Sequence, residues 1–304
     1  MLYVSNLKTG HQEPLKFPDL LFNGLNLTQI LGGLLNGNEI LQLLNFLVGN
    51  KSGFRAQIDE SDYESIRSLC SGLNIALLKS EYYVEYVESK VIRGAYYTGR
   101  RTQTPKEGRR KVFVYFAKSK KQCAALRNAE KEGDDYEFGK RLGYPICCIK
   151  YYTKSSFPKK GDYVMNSIDL PTVSPYKFLN NVALWPFGIG MIDHFPCSPR
   201  CEKSMDLAQC YARTLMKIDR DYYEFIEEEL KSMVVCSRNG SVVYSTDYSK
   251  NKDRIYINEI KGDPSDPLYK LIKKNDYLRF ENSKELCVGN ESLMWPNYKI
   301  IFYN

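Results

Sequence analysis

The chain has 304 residues, of which 43% are hydrophobic and 26% are charged, so it can bury a sizeable core and is not expected to be disordered. The formal net charge of +7 is mildly basic and is compatible with an anionic partner. No apolar run is long enough to span a bilayer, and the first residues lack the pattern of a secretion signal. We therefore expect a cytoplasmic protein without a membrane partner, in which nine cysteines do not form a disulfide framework.

The first part of the chain is predicted to be mainly helical. Leucine and isoleucine recur with helical spacing over 20–47, where glycines divide the pattern into two or three short helices. A cleaner helix is predicted over 59–73, with Gly72 near its end. Residues 84–92 alternate weakly, which favours a strand.

The central part begins with the clearest strand pattern, residues 111–117 (KVFVYFA). Ser119 is a plausible N-cap for the helix that follows, and another helix is predicted over 135–142. Residues 153–187 are rich in proline and predict loops. A long amphipathic helix or helix pair is predicted over 204–233, with one acidic face exposed to solvent: Glu224, Glu227, Glu228 and Glu229.

Short strands separated by turn residues are predicted after Gly240, over 242–245, 254–260, 276–280 and 298–303. Together these patterns predict an α/β or α+β fold. The expected organisation is a helical N-terminal region (1–95), a cysteine-bearing core (96–235) and a β-rich C-terminal module (236–304).

Four cysteines gather in two short turns that contain glycine or proline. The first turn is 143–148 (GYPICC), and the second is 194–204 (HFPCSPRCEKS). Each presents its thiols just before or inside an expected helix start, where the helix dipole lowers the pKa of a thiol. Thiolates are metal ligands, so we predict a metal or cofactor site formed by Cys147, Cys148, Cys197 and Cys201.

The spacing of these cysteines bears on the kind of metal. Cys197 and Cys201 have the separation typical of a zinc site. Cys147 and Cys148 are adjacent, and we expect neighbouring side chains to diverge, whereas a cluster with several irons can bind them separately. An iron–sulfur cluster is therefore the leading prediction and zinc the alternative, with a metal-free redox pair also open. Cys210 is a further candidate ligand, and the single cysteines are expected to be packing residues: Cys70, Cys123, Cys236 and Cys287.

The strand, helix and GYPICC turn over 112–152 resemble domain-of-unknown-function family 483, found mainly in archaea and some bacteria. The HFPCSPRCEKS segment resembles the second signature of that family, so the likeness covers about 112–216. The family is uncharacterised, and the resemblance implies no reaction.

The cysteine pattern is also similar, more weakly, to the cluster-binding domains of heterodisulfide reductases. In that likeness Cys123 would be the upstream cysteine. Ile149 stands where those domains have glycine, and three residues rather than two separate Cys197 from Cys201. The likeness serves as a precedent for adjacent cysteines at an iron–sulfur cluster.

Only two histidines are present, which argues against a multi-histidine metal site. His194 precedes Cys197 by three residues and could ligate a metal, bond to a sulfur or shuttle protons; a turn histidine bonded to backbone is the alternative. In a metal-free thiol enzyme, Cys148 would be the nucleophile and His194 the base.

Basic residues cluster over 90–111 among glycine and proline breakers, which indicates a basic loop. A solvated loop is the ordinary interpretation, and binding of a phosphate, a nucleic acid or an acidic protein is the functional one. A second basic pair adjoins the thiols and could hold an anionic substrate. The candidate anion-binding residues are Arg100, Arg101, Arg109, Arg110, Lys111, Arg200 and Lys203.

The leading functional hypothesis is an iron–sulfur protein acting in redox or sulfur-transfer chemistry, with modified-nucleoside or natural-product biosynthesis as a setting suggested by the basic loop and the thiols. If the protein is an enzyme, the cluster would serve the reaction. The alternatives are a nucleic-acid-binding module with structural zinc and the metal-free thiol enzyme.

Overall fold

The computed structural model describes residues 3–6, 12–14, 16–32, 34–85, 100–103, 110–154, 172–174, 184–237, 242–252, 254–275, 277–282, 285–289, 291–294 and 298–303. Within these ranges the helices are α1 (Leu27–Leu31), α2 (Gly37–Leu47), α3 (Tyr63–Gly72), α4 (Lys120–Glu132), α5 (Asp135–Arg141), α6 (Ile146–Lys154), α7 (Glu202–Ile218), α8 (Arg220–Leu230) and α9 (Pro267–Lys274). Single 3-10 turns cover Glu60–Asp62 and Trp185–Phe187.

The strands fall in four sheets. A seven-stranded sheet has the order β2 (Gln12–Pro14), β1 (Tyr3–Asn6), β14 (Glu259–Gly262), β11 (Val242–Ser245), β10 (Met233–Ser237), β18 (Tyr298–Tyr303) and β9 (Thr172–Ser174). A five-stranded sheet has the order β12 (Tyr248–Asn251), β13 (Arg254–Ile257), β15 (Tyr277–Asn282), β16 (Glu285–Val288) and β17 (Glu291–Met294). A four-stranded sheet has the order β5 (Gly53–Asp59), β8 (Lys111–Ala117), β6 (Ala76–Glu85) and β7 (Arg100–Thr102), and β3 (Leu21–Phe22) pairs with β4 (Leu25–Asn26). The fold is therefore mixed α/β.

The four-stranded sheet is built around β8, which lies between β5 and β6 and pairs antiparallel with both. Its apolar sequence suits this place because six of its seven residues are buried. Phe116 stacks on Phe54 with ring centroids 4.1 Å apart. On the other face of β8, Tyr115 donates a hydrogen bond to Glu130 of α4 (2.6 Å), and Glu130 also pairs with Arg55. Helix α4 is thereby tied to the sheet.

The main core joins this sheet to the helices that carry and support the cysteine turns. It contains buried residues of α2 and β5 together with the 189–192 segment and the inner faces of α7 and α8. The buried residues of α7 and α8 include Tyr211, Leu215 and Tyr222. This packing places the start of α7 against the segment that runs from Trp185 to the second cysteine turn.

Several predicted elements are confirmed. Strand β8 has the predicted bounds, and the Ser119 hydroxyl caps α4 by accepting a hydrogen bond from the Gln122 N–H. The 204–233 segment is a helix pair, α7 and α8, that ends before β10. The predicted 20–47 helices correspond to α1 and α2, and the 59–73 helix is a 3-10 turn followed by α3. Residues 86–92 of the predicted 84–92 strand lie outside the described residues.

Two sequence predictions were wrong. Glu229 is buried (3% exposed), because it shares a helix face with Ile226 and Leu230 and pairs with Lys261 of β14. The 254–260 segment lies in two strands rather than one, because the strand is interrupted at Asn258. The N–H of Asn258 donates a hydrogen bond to the Asp247 carbonyl. The seven-stranded sheet takes strands from the N-terminal, central and C-terminal parts of the chain.

In the part of the chain that the structure describes, none of the helices combines the length and apolar character needed to cross a bilayer.

Candidate metal centre

The four predicted cysteines meet in one cluster. The Sγ atoms of Cys147, Cys148, Cys197 and Cys201 all lie within 4.8 Å of one another. Cys147 Sγ is 3.9 Å from Cys148 Sγ and 3.8 Å from Cys201 Sγ, and the Cys148–Cys201 separation is 3.6 Å. The side chains of the adjacent cysteines therefore converge instead of diverging as expected, so all four can bind one metal.

The first cysteine pair is positioned by the turn that starts α6. Gly143 has a φ of +82°, a left-handed conformation that glycine adopts at little cost. The Pro145 carbonyl accepts hydrogen bonds from the N–H groups of Cys148 (2.9 Å) and Ile149 (3.0 Å), which closes the first helical turn. Cys147 and Cys148 are thus held at a helix N-terminus, where the dipole stabilises thiolates.

The second pair precedes and caps α7. Cys201 is the N-cap residue, and its N–H bonds to the Ser198 carbonyl (3.1 Å), which tightens the turn between Cys197 and Cys201. The Cys197 N–H points at the Cys148 sulfur, with an N···S distance of 3.3 Å. The two turns are therefore joined directly at the thiols, and a second helix N-terminus faces the cluster.

The thiols differ in burial and in proton affinity. Cys148 and Cys201 are 2% and 6% exposed, whereas Cys197 is half-buried and Cys147 is exposed. Burial raises the pKa of Cys148 and brings the pKa of Cys197 to about 12. Burial acts in the same direction on Cys201, but hydrogen bonds from Ser204 and the neighbouring thiols outweigh it and lower its pKa to about 7. Of Cys148, Cys197 and Cys201, Cys201 is therefore the thiol that ionises most readily.

A buried serine and a buried histidine lie next to the cysteine cluster. The Ser204 oxygen, fully buried on the first turn of α7, lies 3.2 Å from the Cys148 sulfur and 2.8 Å from His194 Nε2. A metal-bound Cys148 would be a thiolate, which can only accept, so Ser204 would then donate to Cys148 and accept from the Nε2–H of His194. Burial lowers the pKa of His194 to about 4, which keeps the imidazole neutral at neutral pH.

The segment before His194 is anchored by a buried ion pair. The Lys51 ammonium, 1% exposed, lies 2.6 Å from Asp193 Oδ2 and donates to Gln42 Oε1 (3.0 Å). The Tyr144 hydroxyl donates to the backbone carbonyl of Asp193 (3.0 Å) and reaches its carboxylate at 3.2 Å. Because Tyr144 belongs to the first cysteine turn, this network joins that turn to the second one.

The proposed nucleophile and base are brought near each other but not into direct contact. Ser204 stands between Cys148 and His194, and all three are buried. Two other cysteines considered as ligands lie elsewhere. The Cys123 sulfur donates to the Ala76 carbonyl (3.1 Å), and the Cys210 sulfur faces Asn50 Oδ1 at 3.9 Å.

The candidate anion-binding residues fall in two places. Arg100 and Arg101 belong to β7, which pairs with β6, while Arg109 lies outside the described residues. Arg110 and Lys111 lead into β8, with the Arg110 guanidinium 5.9 Å from the Tyr83 ring centroid. Beside the thiols, Arg200 and Lys203 are exposed, and Lys203 pairs with Asp206 at 3.6 Å.

Sequence reasoning missed the supporting residues Lys51, Gln42 and Tyr144. Lys51 and Asp193 are 142 positions apart, and nothing in their local sequences signals the pairing. Ser204 belongs to the supporting residues as well, since it is fully buried on the first turn of α7 beside the thiols. The one local signal in the sequence is for Ser204, whose small hydroxyl side chain stands three positions after Cys201, the N-cap residue of α7.

Fold and site together define a mixed α/β protein with a four-thiolate candidate metal site. A family model described as protein of unknown function (DUF483) matches residues 123–235, the segment that carries all four cysteines, His194 and Ser204. The resemblance predicted from the two cysteine turns is confirmed over that segment. No curated protein and no solved structure matches the chain.

Proposed function

We propose that the protein is a metalloprotein in which the four cysteines bind a single tetrahedral metal ion, with zinc as the resident metal. Zinc–thiolate bonds are about 2.3 Å long, so sulfur atoms at the corners of a tetrahedron stand about 3.8 Å apart. The three sulfur separations among Cys147, Cys148 and Cys201 are 3.6, 3.8 and 3.9 Å and match that edge length, and the Cys197 sulfur lies within 4.8 Å of the others. This match is the observation that carries the proposal.

An iron–sulfur cluster with several irons is the competing assignment. Its cysteines bind different irons that are bridged by sulfide, which spreads the cysteine sulfurs more widely than one ion does. A limit of 4.8 Å on every pair favours one ion. A single iron with four thiolates has the same geometry, so zinc and mononuclear iron must be separated by metal analysis.

The electrostatics of the site suit a divalent ion. Four thiolates and one divalent cation leave two negative charges, which need stabilisation in a partly buried site. The N-termini of α6 and α7 both face the sulfurs, and the Ser204 hydroxyl and Cys197 N–H donate toward Cys148. Such donors around the sulfurs are the outer contacts that hold metal ligands in place.

The iron–sulfur version of the predicted function, redox or sulfur-transfer chemistry in modified-nucleoside or natural-product biosynthesis, depends on iron at this site, whereas a metal-free thiol pair could carry redox chemistry without it. A redox-inactive zinc ion supports structural stabilisation or thiolate chemistry instead. Metal identity thus decides between these functions.

The test is anaerobic purification from cells supplied with both iron and zinc, followed by metal analysis and a visible absorption spectrum. We expect one zinc per chain and a colourless protein. Cobalt exchange should then give the visible bands of tetrahedral thiolate coordination. Iron with acid-labile sulfide would overturn the proposal in favour of a cluster, and iron without sulfide would replace zinc by a single iron.

Serine variants identify the ligands. Cys147→Ser, Cys148→Ser, Cys197→Ser and Cys201→Ser should each reduce metal affinity. Cys210→Ser is the matched control, because Cys210 is partly buried on α7 and its sulfur faces Asn50. Equal metal loss in the control and the ligand variants would contradict the four-cysteine site.

A further inference from the structure

The four thiols differ in how open they are to a reactant. All nine cysteines lie within the described residues, and Cys147 is the one that is exposed. Cys148 and Cys201 are nearly closed off at 2% and 6% exposure, and Cys197 is half-buried. A molecule arriving from solvent therefore meets the Cys147 sulfur first.

The hydrogen bonds around the sulfurs show the same asymmetry. Cys148 receives the Cys197 N–H and the Ser204 hydroxyl. Among the described residues, the recorded contacts of the Cys147 sulfur are with other thiols. A hydrogen bond to a thiolate draws electron density from the sulfur and lowers its nucleophilicity. The Cys147 thiolate is therefore expected to be more nucleophilic than the Cys148 thiolate.

We propose that Cys147, while bound to the metal, is the nucleophile of this centre and accepts alkyl groups from electrophilic carbon. This inference rests on the single-ion function proposed above. The Cys147 sulfur forms a bond to the carbon, the bond from that carbon to its leaving group breaks, and the leaving group departs with the bonding electron pair. Metal binding has already removed the thiol proton, so the step needs no base, oxidant or reductant.

The surroundings of Cys147 indicate the substrate class. Ile146, the residue before it at the start of α6, is an apolar residue that is 41% exposed. Lys150 is exposed one helical turn further on, and Arg200 is exposed next to Cys201. These cations favour a leaving group that departs as an anion.

This assignment moves the reactive role from Cys148 to its neighbour. Cys148 is covered by the second cysteine turn and by Ser204, so a substrate cannot reach its sulfur without displacing them. Cys148 and Ser204 instead hold the metal in place behind the reacting sulfur.

Exposure alone would also make Cys147 the first thiol to be alkylated, so the test must detect the metal. Full-length protein with measured zinc content is treated with limiting iodoacetamide at one fixed pH, and the labelled cysteine is identified by peptide mass spectrometry while any released zinc is followed with a chromophoric chelator. A thiolate that reacts while bound to the metal is alkylated without prior release of the zinc. A thiolate that must first leave the metal reacts only as fast as the zinc is released.

The expected result is that Cys147 of the zinc-loaded protein is labelled first, at a rate that does not depend on release of the zinc. Cys147→Ser should lose this labelling, whereas Cys210→Ser, which lies outside the four ligands, should keep it at Cys147. Labelling of Cys147 that requires release of the zinc, or another ligand labelled first, overturns this inference and leaves the zinc site standing. A chain that binds no metal overturns both.

Discussion

The Ser204 hydroxyl oxygen lies 2.8 Å from His194 Nε2, and both side chains are almost completely buried. A hydroxyl that accepts from an imidazole N–H has its own proton free to donate, and the Cys148 sulfur lies 3.2 Å from this oxygen. His194 thus orients Ser204, and Ser204 orients Cys148, although neither residue is one of the four cysteines of the site.

Ser204→Ala should weaken metal binding. The change removes the donor to the Cys148 sulfur and leaves the His194 N–H without its acceptor in a buried place. Loss of an outer contact of this kind typically costs about 10–100-fold in metal affinity. Competition with a chromophoric zinc chelator measures the change. Gln209→Ala, an exposed position on the same helix, should bind zinc like the parent; a Ser204→Ala affinity equal to this control would refute the orienting role.

Lys51→Met should destabilise the protein markedly. Lys51 is 1% exposed, and its removal leaves the Asp193 carboxylate without its partner in a largely buried site. Breaking a buried pair from one side costs about 3–5 kcal/mol in free energy of unfolding. Urea denaturation of metal-free protein measures it. Adding Asp193→Asn should recover part of the loss in free energy of unfolding, because the unpaired charge is gone. A double variant whose loss exceeds the summed losses of the two single variants would contradict the pairing.

Gly37→Ala should also be destabilising. A Cβ at Gly37 would lie 2.6 Å from Cε1 of Phe17 and 2.9 Å from the Gly188 carbonyl oxygen. The start of α2 would therefore have to move away from Phe17 and Gly188. Overpacking of this kind costs about 1–3 kcal/mol. Gly72→Ala is the matched control at the end of α3, where a Cβ meets nothing within 4 Å. Thermal unfolding compares the two, and equal effects would argue against the close approach at Gly37.

Removal of the metal should loosen the second cysteine turn before the rest of the molecule. Residues 193–201 contain no regular helix or strand, so the metal would replace a hydrogen-bonded ladder as their main constraint. Hydrogen exchange after chelation should therefore rise at the N–H groups of Cys197 and Cys201. The amides of β8 provide the control, because they are paired on both sides. Uniform exchange across turn and strand would mean that the metal stabilises the whole fold instead.

Local features of the sequence predicted the parts of the molecule that depend on neighbouring residues. The β8 strand follows from a short apolar run, and the start of α4 follows from a serine cap. The four cysteines were found because turns rich in proline and glycine presented them near helix starts. Their convergence was underestimated for Cys147 and Cys148, whose sulfurs come within 3.9 Å in the first turn of α6.

Features that join distant parts of the chain were beyond sequence reasoning. The buried charge of Lys51 depends on Asp193, and that of Glu229 depends on Lys261. A charged residue looks like a surface residue until its partner is known, which is why Glu229 was expected to be exposed. The order of strands in the seven-stranded sheet has no local signal either, since hydrophobic pattern gives a strand and not its neighbour.

The order of that sheet has a consequence for biosynthesis. Tyr3 in β1 aligns with Gly262 in β14, and Val234 in β10 aligns with Ile301 in β18. Strand β1 pairs with the nearby β2, but its other neighbour, β14, is synthesised much later. Pairings across such long separations fold slowly and leave strand edges open meanwhile. The nascent chain consequently passes through a period in which both cysteine turns have been synthesised while the sheet is still incomplete.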